Sequence, residues 1–155
     1  MNETIIKNWN SQVKENDHIY HLGDFALSRG RFDIVADIIK RLNGKIHLIR
    51  GSHEKDALKL YQLFESVSET AYVHMEKHEL FLAHHCHKCW PKSHYGTWHL
   101  FGHNHGRLDR YAEREGKLLD VGVDSHNFMP WSEHEIVKLM DTRPLNYNDL
   151  SKEKK

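Results

Sequence analysis

Fifteen histidines in a chain of 155 residues are its first chemical signal. Imidazole is the commonest protein metal ligand and the one side chain that ordinarily titrates near neutral pH. The histidines gather in short polar clusters, "GSHE" at 51–54, "HHCH" at 84–87 and "GHNH" at 102–105, and a "GD" at 23–24 belongs with them. Brought together, these stretches offer Asp24, His53, His84, His103 and His105, with Ser52 and Glu54 close by. One carboxylate with several neutral imidazoles suits zinc, manganese, iron or nickel, and suits calcium or magnesium poorly, because those ions favour all-oxygen shells. If the backbone at 103–105 is extended, His103 and His105 project to one side and Asn104 to the other. Isolated histidines such as His18, His74, His78 and His134 read instead as exposed or hydrogen-bonded side chains without a ligand role.

Positioning such a set requires elements that deliver each cluster to one place. "ETIIKNWNSQV" spaces Ile5, Ile6, Trp9 and Val13 as one face of a helix, and "HIYHL" (18–22) reads as a short strand stopping at Gly23. "RFDIVADIIKRLNG" is the clearest helix, with Ser28 a nearby cap candidate and Asn43-Gly44 a stop, and "KIHLIR" (45–50) follows as a strand. Strand, helix, strand over 18–50 is the pattern of a right-handed parallel crossover. "EKDALKLYQLF" reads as another helix, "AYVHM" and "ELFLA" as a hairpin, and "TWHLF" and "KLLDVGVD" as two further strands. Ser132 and Glu135 form a capping-box pattern opening a last helix that runs to about Met140. Beyond "TRP" the polar end is expected to fray. Each polar cluster follows a predicted strand, and in open α/β sheets the loops beyond strand carboxyl ends converge. The expected organisation is one α/β domain over 1–144 and a polar tail over 145–155.

Composition narrows the partners. Lys plus Arg and Asp plus Glu are equal at 22 each, so no overall positive field draws in nucleic acid. An anionic substrate must be held locally, by metals or a few donors. The N-terminal stretch lacks a signal-peptide pattern and no apolar run is long, so a soluble, cytoplasmic protein without membrane contact is expected. Cys86 and Cys89 are too few for a disulfide scaffold and read as thiols. Their spacing is also that of half a zinc knuckle, which His84, His85, His87 or His94 could complete. Trp90, Tyr95 and Trp98 could stack on a base or sugar, or pack in the interior.

The clusters in their order, "IYHLGDFA" (19–26), "IRGSHE" (49–54), "LAHH" (82–85) and "FGHNHG" (101–106), resemble the calcineurin-like metallophosphoesterases, in particular the small single-domain bacterial and phage members. "VGVDSHNFMPWS" (121–132) resembles the closing stretch of those members. The resemblance spans nearly the whole chain and implies an α/β fold in which a β-sheet sandwich is flanked by helices. It implies that Asp24 bridges two metals, that His84 and His103 serve the second and His105 the first, and that His53 is the catalytic histidine. It also implies hydrolysis of a phosphate mono- or diester, nucleotide-like substrates included, with manganese the foremost ion and iron, nickel or zinc the others.

Two departures qualify that expectation. The Asp-x-His that opens the family's pattern has no match before Asp24, and Met1-Asn2-Glu3 resembles an internal segment, so the fold is expected to lack its first strand. "DSH" at 124–126 has the right letters but lies in the closing stretch. Ser52 stands where the family has a ligand asparagine, and a hydroxyl is a shorter and poorer donor. The site is therefore expected to be weakened or reduced to one metal, and an unpaired inner sheet edge is expected to favour a homodimer or strand exchange. Two other functions fit the same residues: a binding or regulatory protein that keeps the fold without turnover, and a zinc-binding module built on Cys86 and Cys89.

Overall fold

The computed structural model describes residues 2–26, 30–53 and 57–150. Within them the chain is α/β, with two sheets and four α-helices. Helix α1 (Asn2–Gln12) and helix α2 (Phe32–Arg41) cover one face of a parallel three-stranded sheet. Its strands are β1 (His18–His21), β2 (Lys45–Ile49) and β3 (Ser66–Ser68), in the order β1-β2-β3. The expected crossover is present: β1 pairs parallel with β2, with Tyr20 opposite His47 and His21 opposite Leu48. Trp9, Val13, Val35 and Ile39 pack on Ile46 and Leu48, which is what the spacing of the two helices' apolar residues demands. The Trp9 indole N–H donates to the Asn43 carbonyl at 2.8 Å, and the Asn10 side-chain oxygen accepts from Asn43 N at 2.8 Å, fixing α1 over the end of α2. Arg31 occupies the N-cap of α2 without a side-chain cap bond; Ser28 and Glu54 fall outside the described residues.

The second sheet holds four strands in the order β4-β5-β6-β7. Strands β4 (Thr70–Met75) and β5 (His78–Ala83) form the expected antiparallel hairpin, and β6 (Trp98–Phe101) and β7 (Leu118–Asp120) add in parallel. Alternation divides this sheet cleanly. Leu80, Leu82, Trp98, Leu100 and Leu119 meet Leu22 and Ile49 of the first sheet, together with Ile136 and Met140 of α4 (Glu133–Thr142). Phe81, Ala83, Phe101 and Leu118 face the other way, against Trp90 and Ala112 of α3 (Asp109–Glu115). Among the described residues β1 pairs with β2 alone, so its outer edge is a sheet edge.

Several expectations change. Residues 57–63 form a 3₁₀ segment kinked at Leu60 rather than an α-helix. Trp90 and Trp98 are core residues: the Trp90 indole donates to the Thr97 carbonyl at 2.9 Å and Trp98 stacks on His78. Of the three aromatics considered for base stacking, Tyr95 alone is well exposed. Nor does the C-terminal stretch fray where it is described. Buried Asn146 donates to the carbonyls of Ser93 and Thr97 at 2.7 and 3.1 Å, and Leu150 N donates to the His94 carbonyl. No helix among the described residues is long and apolar enough to cross a membrane.

Candidate metal centre

The loops after β1, β5 and β6 meet at one point, and the backbone explains how closely. Gly23 takes φ +96°, and a Cβ there would collide with His84 Nδ1 and come within 2.7 Å of Gly51 Cα. Only glycine lets three loops crowd together here. Asp24, also left-handed at φ 54°, then turns its carboxylate back toward them. Backbone N–H of His53 donates to Asp24 Oδ1 at 2.9 Å, so the loop after β2 orients the same carboxylate.

Buried His84 is the pivot. Its Nδ1–H donates to the Leu22 carbonyl at 2.7 Å, which fixes the tautomer and leaves the Nε2 lone pair outward. Around that lone pair stand Asp24 Oδ2 at 3.4 Å and His103 Nδ1 at 2.9 Å. The His84 carbonyl also accepts from Gly102 N and His103 N at 3.1 and 3.0 Å, so the same residue anchors the "GHNH" loop. His85 closes the group: ligand atoms of His84, His85 and His103 all lie within 4.8 Å of one another. Burial, then the neighbouring His84 and His103, hold the His85 pKa below its ordinary value, favouring the neutral ring a metal needs. Convergent lone pairs and one carboxylate fit a divalent transition ion, because nitrogen and oxygen donors gather around the His84 Nε2.

The predicted site residues divide accordingly. Asp24, His84 and His103 come together. Ser52 and His53 are exposed beside them, with Ser52 Oγ 3.5 Å from His85 Nε2. His105 is not part of the three-histidine group: at φ 51° the chain turns through 103–108 instead of extending, and His105 Nδ1 pairs with the Asp124 carboxylate. The alternation argument for His103 and His105 therefore fails, because the strand ends at Phe101. Asp124 is the acid of the "DSH" triplet at 124–126, whereas His126 of that triplet stacks on Trp131.

Three supporting residues carried no periodic signal. Asp120, fully buried at the end of β7, accepts from Gly106 N at 3.0 Å and Gly122 N at 2.9 Å, stitching the "GHNHG" loop to the chain after β7. His99, also fully buried, donates from Nδ1 to the Phe81 carbonyl at 3.1 Å and accepts at Nε2 from His87 N at 3.0 Å. Burial pushes its pKa down to about 4. His21 is likewise pushed down to about 4, by burial first and then by His84. It lines a cavity of about 820 Å³ between β1, the β5 and β6 leucines and α4, whose rim includes Asp24, His105 and Asp124.

The cysteines do not join this centre. Cys89 Sγ lies 2.5 Å from the Tyr147 hydroxyl, and burial pushes the Cys86 thiol up to about 11, away from the thiolate that zinc requires. Among the described residues, the three-histidine group is the one convergent set of metal-type donors.

Fold and centre together define an α/β protein with a histidine-rich site at the junction of its two sheets. No family model matches the chain. It is 34% identical over 148 residues to the uncharacterized protein MJ1445 of Methanocaldococcus jannaschii, covering 91% of this chain and 76% of that one, and it belongs to the same family. The crystal structure of the protein of unknown function AQ665 from Aquifex aeolicus shares the fold, with a TM-score of 0.68 over 89% of this chain and 84% of that one at 22% identity.

Proposed function

We infer that the chain is a metal-dependent phosphoesterase of the calcineurin-like type, acting on a phosphate mono- or diester. The observation that carries the reading is the arrangement at His84: a buried imidazole with its Nδ1–H committed to a carbonyl, and its free Nε2 faced by Asp24 Oδ2 and His103 Nδ1. A divalent cation bound there supplies positive charge to the phosphoryl oxygens and makes water a stronger nucleophile. Asp24 is held by the His53 backbone N–H, so its second oxygen is oriented before any ligand arrives. On this reading His53, exposed and next in the chain to Ser52, protonates the leaving oxygen, a role typically worth roughly 10²- to 10⁴-fold. The cavity beside Asp24 supplies room for the rest of an ester.

The test is hydrolysis of bis(p-nitrophenyl) phosphate with Mn²⁺ and with Zn²⁺, by the intact chain and by Asp24→Asn. Activity that disappears in the variant is the expected result. Folded protein without activity in either ion overturns the reading. A binding or regulatory role is the second reading, favoured by the pairing of His105 with Asp124 rather than with the three-histidine group, which leaves donors for one ion there. That role retains ion binding and shows no turnover in the same assay.

A further inference from the structure

We propose that His85 is a direct ligand of this centre in place of Ser52, making it a three-imidazole, one-carboxylate site that selects zinc-class ions over manganese. The inference rests on the cation reading above and goes beyond it in naming the fourth donor and the ion it favours. Ligand atoms of His85, His84 and His103 lie within 4.8 Å of one another. The 3.4 Å between His84 Nε2 and Asp24 Oδ2 matches the edge of about 3.4 Å that metal–nitrogen bonds of about 2.0–2.1 Å set in a tetrahedron, and the 2.9 Å between His84 Nε2 and His103 Nδ1 is somewhat shorter than it. His85 is exposed, on a bend after β5, so its ring can move in toward the other two without disturbing a packed core. Ser52 has a short neutral hydroxyl and sits 3.5 Å from His85 Nε2, where it meets the ring rather than supplanting it.

Geometry accounts for two adjacent residues serving one ion. In a continuing strand His84 and His85 would point to opposite faces. The strand ends at Ala83, the chain bends at 84–85, and the two rings stand at 85° with centroids 4.7 Å apart. His85 and His103 are as close, at 4.5 Å. A nitrogen-rich set follows the Irving–Williams order, in which zinc, nickel and cobalt bind more tightly than manganese; a hydroxyl or amide oxygen in the fourth place would narrow that gap.

The deciding experiment measures binding of the metal alone. Zn²⁺ and Mn²⁺ affinities are determined by chelator competition for the intact chain, His85→Ala and Ser52→Ala, with circular dichroism confirming that each is folded. The Co²⁺ form of each is followed by its visible d–d bands. Expected are at least a tenfold loss of Zn²⁺ affinity in His85→Ala, a Zn²⁺-to-Mn²⁺ preference that shrinks with it, weaker Co²⁺ bands as an imidazole is lost, and Ser52→Ala within threefold of the intact chain. A His85→Ala protein that keeps its Zn²⁺ affinity within threefold, or a larger loss in Ser52→Ala, overturns the assignment. Failure of the intact chain to bind either ion overturns both this inference and the phosphoesterase reading. Tight binding without phosphodiester hydrolysis removes only the latter.

Discussion

Two imidazoles on neighbouring strands, His84 just after β5 and His99 within β6, do opposite work because their surroundings differ. His84 keeps a lone pair directed at Asp24 and His103, whereas His99 has both nitrogens engaged inside the protein and offers none. Burial pushes His99 to about 4, below the ordinary 6.5 that the unfolded chain retains. Folding therefore favours the neutral ring: its contribution is complete above about pH 6.5 and is lost progressively as pH falls through the window down to about 4. At pH 4.5 the penalty is about 2–3 kcal/mol. His99→Gln, whose amide can still donate and accept, is expected to lose that much less stability than the intact chain between pH 7 and 4.5. Urea melts of the metal-free proteins at the two pH values measure it; parallel losses would mean that another group carries the slope.

At the scale of elements, α4 is the clearest case of local sequence agreeing with packing. Ser132 Oγ accepts from Glu135 N while the Glu135 carboxylate accepts from Ser132 N, completing a capping box, and Ile136 and Met140 then enter the core between the sheets. Ser132→Ala is expected to cost about 1 kcal/mol, read as a fall in Tm of about 2–4 °C for a domain of this size. A change below 1 °C would show that tertiary packing alone holds the helix. What was legible followed the same logic. The crossover through β1, α2 and β2 could be read because Val35 and Ile39 recur at helical spacing between two short stretches, "HIYHL" and "KIHLIR", that lack it. Strand β3 is three residues of "SVS" and α3 buries only Ala112, so neither has a stripe long enough to register a period, whereas residues 57–63 show a helical period yet settle into a kinked 3₁₀ path. Asp24, His84 and His103 were legible as special residues after strands. His85 and the Asp124 partner of His105 were not, because both depend on how the chain turns after its strand, and nothing in a histidine's identity announces a bend or a positive φ.

Across the whole molecule, the centre draws on both sheets: Asp24 follows a strand of the first, while His84, His85 and His103 follow strands of the second. A cation held there would link them. Linkage then makes binding a term in global stability, worth about 4 kcal/mol at a free ion concentration near 1,000 times Kd, or a Tm rise of roughly 8–16 °C at the slope expected for this size. Asp24→Asn is expected to lose most of that rise while leaving the metal-free Tm within a few degrees. Differential scanning calorimetry with Zn²⁺ and with chelator, at the affinities found by competition, provides the comparison. If Zn²⁺ binds the folded chain yet leaves Tm unchanged, the unfolded chain's many histidines must bind it equally well. The loops would then not form a site that folding assembles, and the carboxylate held by His53 N would have lost its assigned purpose.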